Sequence, residues 1–262
     1  MKRFATAILA SVLFFVTSLS GKNIGEPKGF DNKVFHASMA MYATSELAGV
    51  TNPKFICTVT AYKKVDKGYL IIGAGHCTSA NDQLPPDLKY YASENLITSV
   101  TSMGGAAVQQ AIPMQLIKAE LTDEYDYAIY FLPTNKKLSV IPLGDERDLK
   151  VGDKIVNVNF SLNAAKITSP GIIVSQEGSP SLPSGAFLVQ EFASHGASGS
   201  AIVSEKTHKI VGLLVAGWDG ETMPVLVEPI SRIEQELEKL QVVYNGKEVR
   251  MSVQETVTIN VR

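Results

Sequence analysis

Three short stretches of the chain carry residue types suited to hydrolysis by a serine nucleophile. In GASGS, Gly196 to Ser200, a serine stands between glycines, with the strand-like FLVQEFA before it and the apolar AIV after it. A nucleophilic serine needs an exposed hydroxyl on a tight turn, and neighbouring glycines let backbone N–H groups converge on a developing oxyanion. Ser198 sits where those demands meet. In GAGHC, residues 73–77, His76 follows the apolar run GYLII. A neutral imidazole, with an ordinary pKa of about 6.5, can accept the serine proton and return it to a leaving amine. In DYAIYFL, Asp126 heads an apolar run, where its carboxylate would fix the imidazole tautomer and stabilise the imidazolium. Asp123 and Glu124 just before it are the rival carboxylates; Asp126 is preferred because it alone abuts the run. His36 and His208 have no partner motif and are read as structural.

The elements that must hold these residues are strands. After Pro53 the chain breaks into a dozen short β-branched and aromatic segments: KFICTVTAY, GYLIIGAG, LKYYA, LITSVTS, AVQQAIPMQLIKAEL, DYAIYFL, DKIVNVNF, AAKITSPGIIVSQ, GAFLVQEFA, SAIVS, KIVGLLVAG and MPVLVEP. Gly, Pro, Asn and Ser clusters separate them without helical crossovers, which indicates an all-β sandwich or barrel architecture. A polar connection near 133–153 divides the segments into two halves. Helical spacing occurs twice. Phe35, Met39 and Tyr42 suggest one short helix within 33–48, and Ile233, Leu237 and Leu240 line one face of SRIEQELEKLQ, 231–241. Asn245-Gly246 suits a tight hairpin turn in the tail.

Composition excludes several classes. Lys plus Arg number 24 against 26 for Asp plus Glu, a net charge of −2, which supplies no excess of basic residues for gripping a phosphate backbone, so no nucleic-acid partner is expected. With 45% hydrophobic residues over 262 positions the chain can bury a full core. Two cysteines and four scattered histidines offer no metal-ligand spacing, and no metal or organic cofactor is expected. At the start, Lys2 and Arg3 precede an apolar run from Phe4 to about Leu19, with Ser18 and Ser20 at small-residue cleavage spacing. Residues 1–20 read as a secretory signal peptide rather than an anchor, because Thr6, Ser11, Thr17 and Ser18 interrupt a run already short for a span. Cleavage would take the charge from −2 to −4. A secreted or periplasmic protein with no stable membrane insertion is expected.

The order His76, Asp126, Ser198 resembles that of the trypsin-like (chymotrypsin-fold) serine peptidases. Ala74-Gly75-His76-Cys77 is similar to the family's histidine turn, Asp126-Tyr127-Ala128-Ile129 to its aspartate strand, and Gly196-Ala197-Ser198-Gly199 to its Gly-x-Ser-Gly. The resemblance covers roughly 50–241 and implies two six-stranded antiparallel β-barrels, with the triad in the cleft between them and a C-terminal helix. The expected organisation is an N-terminal segment with a short helix at 21–53, a first barrel at 54–140, a second at 141–230, and a helix and tail at 231–262. The resemblance further implies an oxyanion hole from the N–H groups of Gly196 and Ser198, and a Cys57–Cys77 disulfide. It puts the specificity pocket's floor near Phe192, its wall along Leu214 to Gly217, and His195 at its rim. Ala197 replaces the acidic residue that pairs with a newly cut N-terminus in many digestive relatives, so the chain resembles bacterial members that lack zymogen-type activation. Ser200 replaces a second glycine. The activity implied is endopeptidase hydrolysis of a polypeptide substrate through an acyl-enzyme. A non-catalytic binding module on the same barrels is the alternative. An α/β-hydrolase esterase would need strand–helix alternation and its histidine last.

Overall fold

The computed structural model describes residues 29–95, 111–163, 165–176, 185–217, 224–237, 243–244 and 247–248. The expected signal peptide and the segment LITSVTS, 96–102, lie outside them. Helix α1, Phe30–Ala37, opens the described chain and buries Val34 and Ala37. It stops where the sequence suggested it would continue: Ser38–Ser45 is strand β1, and the first barrel therefore begins at Ser38 rather than at 54. All eight residues of β1 are buried. A strand covered on both faces loses the period of two that would distinguish it from a helix.

The first barrel closes in the order β1, β2 (Val50–Val65), β3 (Gly68–Gly73), β6 (Asp126–Pro133), β5 (Ile112–Leu121), β4 (Lys89–Ser93). The second closes as β10 (Ala201–Ser204), β11 (Ile210–Ala216), β12 (Val225–Pro229), β9 (Phe187–Gln190), β8 (Ile167–Ser175), β7 (Lys154–Asn159). All pairings within both barrels are antiparallel. Helix α2, Ile230–Leu237, follows directly, and an antiparallel pair of β13 (Val243–Tyr244) and β14 (Lys247–Glu248) lies beyond it.

Alternation explains how two barrels make one body. Tyr69, Ile71, Ala128, Tyr130 and Leu132 fill the first barrel. Their neighbours Leu70, Ile72, Tyr127, Ile129 and Phe131 point the other way, into a layer shared with Val156, Val158, Ala201, Val203 and Leu213 of the second barrel and with Ile230, Ile233 and Leu237. Strands β3 and β6 are buried on both sides, which is why YLII and YAIYFL are unbroken apolar runs. Lys166 ties α1 to the second barrel: its Nζ donates to the Phe35 carbonyl at 2.9 Å and lies 4.6 Å from that ring's centre. Burial lowers its ammonium to about 8.

One buried group works against this packing. Phe187 and Val189 of β9 face the second barrel's core, and Glu191 continues their side of the strand. Its Cβ lies where a side chain at Gly171 would reach. It is 6% exposed, and neither carboxylate oxygen has a hydrogen-bond partner among the described residues. Burial pushes its carboxyl well above the usual range. A carboxyl raised on folding favours the native state below about pH 4.3 and withdraws that support as pH climbs toward the folded value, at about 1.4 kcal/mol per pH unit. Glu191→Gln is therefore expected to raise the melting temperature more at pH 8 than at pH 5. Equal gains at both pH values would show that the carboxyl is not shielded from water.

Candidate active site

The histidine turn is built by close approach. Gly75 opens a short 3-10 turn, Gly75–Cys77, directly after β3, and a Cβ there would collide with the carbonyl oxygen of Glu120 and crowd that of Tyr127. Only glycine lets the turn press onto β5 and β6. Thr78 closes it, donating from its hydroxyl to the Gly75 carbonyl at 2.7 Å, and Asn81 Nδ2 donates to the His76 carbonyl at 3.1 Å. Asp126, first residue of β6, then meets His76 twice. The His76 backbone N–H donates to Oδ1 at 2.9 Å, and Nδ1 lies 2.7 Å from Oδ2. An ionised carboxylate only accepts, so Nδ1 carries the proton and Nε2 is left as the acceptor. The two side chains are 29% and 18% exposed, so the dyad is reached from solvent. Asp123 and Glu124 are exposed beyond the strand's head.

The second barrel brings the serine. Gly199 has φ +82°, and a Cβ on it would lie 2.6 Å from the Thr58 carbonyl oxygen and 2.7 Å from Ala74 N, two residues before His76. The GASGS loop is thereby seated on the histidine's own strand end. Thr58 clamps it from β2, its N–H donating to the Ser198 carbonyl at 3.0 Å and its hydroxyl to the Gly196 carbonyl at 2.7 Å. Ala197 N–H closes a turn onto the Ser194 carbonyl at 2.9 Å. Among the described residues, the N–H groups of Gly196 and Ser198 donate to no protein acceptor.

A buried polar chain supports the loop from both ends. Asn157 Nδ2 donates to the Ser200 hydroxyl at 2.8 Å, Asn159 Nδ2 to Asn157 Oδ1 at 2.6 Å, Ser161 N–H to Asn159 Oδ1 at 3.0 Å, and Ser194 N–H to the Ser161 hydroxyl at 2.9 Å. Ser200, a departure in sequence, thus supplies the hydroxyl that anchors the loop's far side. Sequence reading missed Thr58, Asn157 and Asn159. The signal available was the pair of asparagines two apart in the apolar run KIVNVN, which places both amides on one buried face.

The disulfide joins Cys57 and Cys77, with Cα atoms 6.5 Å apart. It closes about 20 residues, worth roughly 3 kcal/mol in the chain-entropy account, and ties the histidine turn to β2. Both sulfurs and a ring nitrogen of His76 lie within 4.8 Å of one another, but sulfurs bonded to each other offer no thiolate to a metal. Of the residues expected at the specificity pocket, Phe192 is 40% exposed and its N–H donates to the Ser169 hydroxyl at 3.0 Å. His195 is exposed and Gly217 lies on the surface beyond β11. Leu214 departs from expectation: its side chain is buried in the second barrel's core, and what it gives the loop is main chain, its carbonyl accepting from Gly199 N–H at 2.7 Å.

The family model of the trypsin-like peptidase domain matches residues 59–213, a span that includes His76, Asp126 and Ser198. The chain belongs to the trypsin-like peptidase family. No curated protein matches it at a significant level. Among solved structures the fold is similar to the crystal structure of Deg5, with TM-score 0.56 and 15% identity over 79% of this chain and 89% of that one. It is also similar to the HtrA-type protease AlgW with tripeptide, with TM-score 0.59 and 14% identity over 81% of this chain and 63% of AlgW. The chain thus spans less than two thirds of AlgW. No helix among the described residues is long and apolar enough to cross a membrane.

Proposed function

We propose that this trypsin-like peptidase is an exported serine endopeptidase working through an acyl-enzyme, with Ser198, His76 and Asp126 as its triad. The observation that carries the reading is the doubly bonded His76–Asp126 pair with the Ser198 loop seated on Ala74 beside it. Ser198 Oγ attacks the peptide carbonyl as His76 Nε2 takes its proton. The Gly196 and Ser198 N–H groups receive the oxyanion, and the amine departs with the proton from His76. Water, activated by the same imidazole, then releases the acid and restores Ser198. Asp126 holds the tautomer throughout. No step requires a metal or an organic cofactor. Export is supported by the Lys2–Arg3 and apolar opening and by the disulfide, which persists in oxidising compartments.

A fluorophosphonate probe tests the reading, since it reacts only with an activated serine. One adduct on Ser198 of the folded protein, absent after its substitution, is expected. A folded protein that stays unlabelled at pH 8 is a binding module instead. The pocket residues Phe192, Gly217 and the Leu214 main chain bring no charge. Burying a cationic substrate side chain there costs several kcal/mol without a carboxylate partner. Cleavage of a peptide library is therefore expected after small or medium apolar residues such as Ala, Val or Leu. Dominant cutting after Lys or Arg would overturn this pocket, and dominant cutting after Glu would implicate His195.

A further inference from the structure

A second carboxylate is buried within electrostatic reach of Asp126. Val225 and Val227 of β12 fill the second barrel, so alternation turns Glu228 outward into the layer between the barrels, beside its cross-strand partner Leu213. Its side chain is 2% exposed. Arg232, one turn into α2, brings Nη1 to 3.6 Å from Glu228 Oε1. Neither atom has a hydrogen-bond partner among the described residues. The same guanidinium lies 5.3 Å from the ring centre of Tyr125, the residue before Asp126. The turn into α2 is fixed by Glu146, whose Oε2 accepts from Ser231 N–H at 3.0 Å while Oε1 accepts from the Ser231 hydroxyl.

We propose that Glu228 and Arg232 are a positioning pair for the Asp126–His76 dyad, holding Tyr125 at the head of β6 and setting the charge that the dyad experiences. The proposal rests on the triad reading above. The charged groups facing Glu228 are Arg232 from α2, Asp126 from β6 and Glu146 from the turn before β7. Burial raises its carboxyl most, Arg232 lowers it, and the two acids raise it, to about 7. Above that pH the pair is neutral. Below it Glu228 is protonated, and the unopposed Arg232 charge disfavours an imidazolium on His76.

Three variants isolate that charge. Glu228→Gln is isosteric and fixes the pair in its positive state. Adding Arg232→Met keeps the volume that packs on Tyr125 but removes the charge, and adding Arg232→Lys in its place restores it. The acid limb of kcat/KM is expected to sit about half a pH unit higher in the Gln/Met protein than in Glu228→Gln, a loss of about threefold at fixed acid pH, and to return in the Gln/Lys protein. A residue that only supported the fold would change kcat at every pH without moving the limb. The His76 ring protons, followed by NMR in Ser198→Ala versions of the same proteins, should show the same displacement without relying on hydrolysis. Coincident midpoints in the Gln and Gln/Met proteins overturn the proposal. A displaced NMR midpoint in a chain that hydrolyses nothing, even with Ser198 present, supports the pair and overturns the peptidase reading instead.

Discussion

Ser198→Ala is expected to lower kcat/KM for peptide cleavage by about 10⁴ to 10⁶ while leaving the protein folded. The two halves of that result come from different atoms. The turn is held by main chain: the Ser198 carbonyl accepts from Thr58 N–H, Gly199 N–H donates to the Leu214 carbonyl, and Ala197 N–H closes onto Ser194. Alanine keeps every one of these. The Ser198 hydroxyl makes no hydrogen bond among the described residues, so its removal leaves no buried partner unsatisfied and costs little stability. What is lost is the attacking oxygen. Binding and the oxyanion donors remain, and they set the residual rate. Thermal melting within about 2 °C of the parent, together with single-turnover cleavage of a peptide, reads both halves at once. Retention of a tenth or more of the parent rate would remove Ser198 from the mechanism.

The parts of the molecule legible in the sequence are those where one physical constraint dominates. Apart from β1, the strands of both barrels announce themselves because β-branched and aromatic runs alternate with turn residues. The candidate site is legible because a histidine turn, an acid at a strand head and a glycine-flanked serine each need unusual local residues. Strand β1 escaped because SMAMYATS is buried on both faces and its small residues suit a helix as well as a strand. Thr58 escaped because a threonine in a strand is ordinary, and only the closure of one barrel on the other makes it a clamp. Glu191 and Glu228 each end an apolar run, FLVQE and VLVE, and a glutamate there reads as the point where a strand surfaces. Burial of both reflects the packing of the second barrel and of α2, which no local pattern encodes. Leu214 was placed by resemblance at a pocket wall, whereas alternation with Leu213, which faces the layer between the barrels, puts its side chain in the second barrel's core.

Asp126→Asn is expected to lower kcat by about 10⁴, with the fold retained. Asp126 accepts two bonds from His76, at 2.9 Å from the backbone N–H and 2.7 Å from Nδ1. An asparagine has only one accepting oxygen. If that oxygen keeps the backbone bond, its amide group faces Nδ1, which must then be the unprotonated nitrogen. The proton moves to Nε2, the nitrogen that has to accept from Ser198, and the base is switched off by tautomer alone. If the amide turns round, Nδ1 keeps its proton but the His76 backbone N–H, in a turn pressed against β5 and β6, faces a donor. Either way the imidazolium formed during attack loses the negative charge that stabilises it. The loss should therefore appear in kcat, with KM for a peptide substrate little changed. The rival carboxylates supply the control. Asp123 and Glu124 are exposed, and Glu124 N–H donates to the Thr122 hydroxyl in the turn before β6, so Asp123→Asn and Glu124→Gln should each keep kcat within about twofold. A loss of more than tenfold in either, with Asp126→Asn near the parent rate, would move the orienting role off the head of β6.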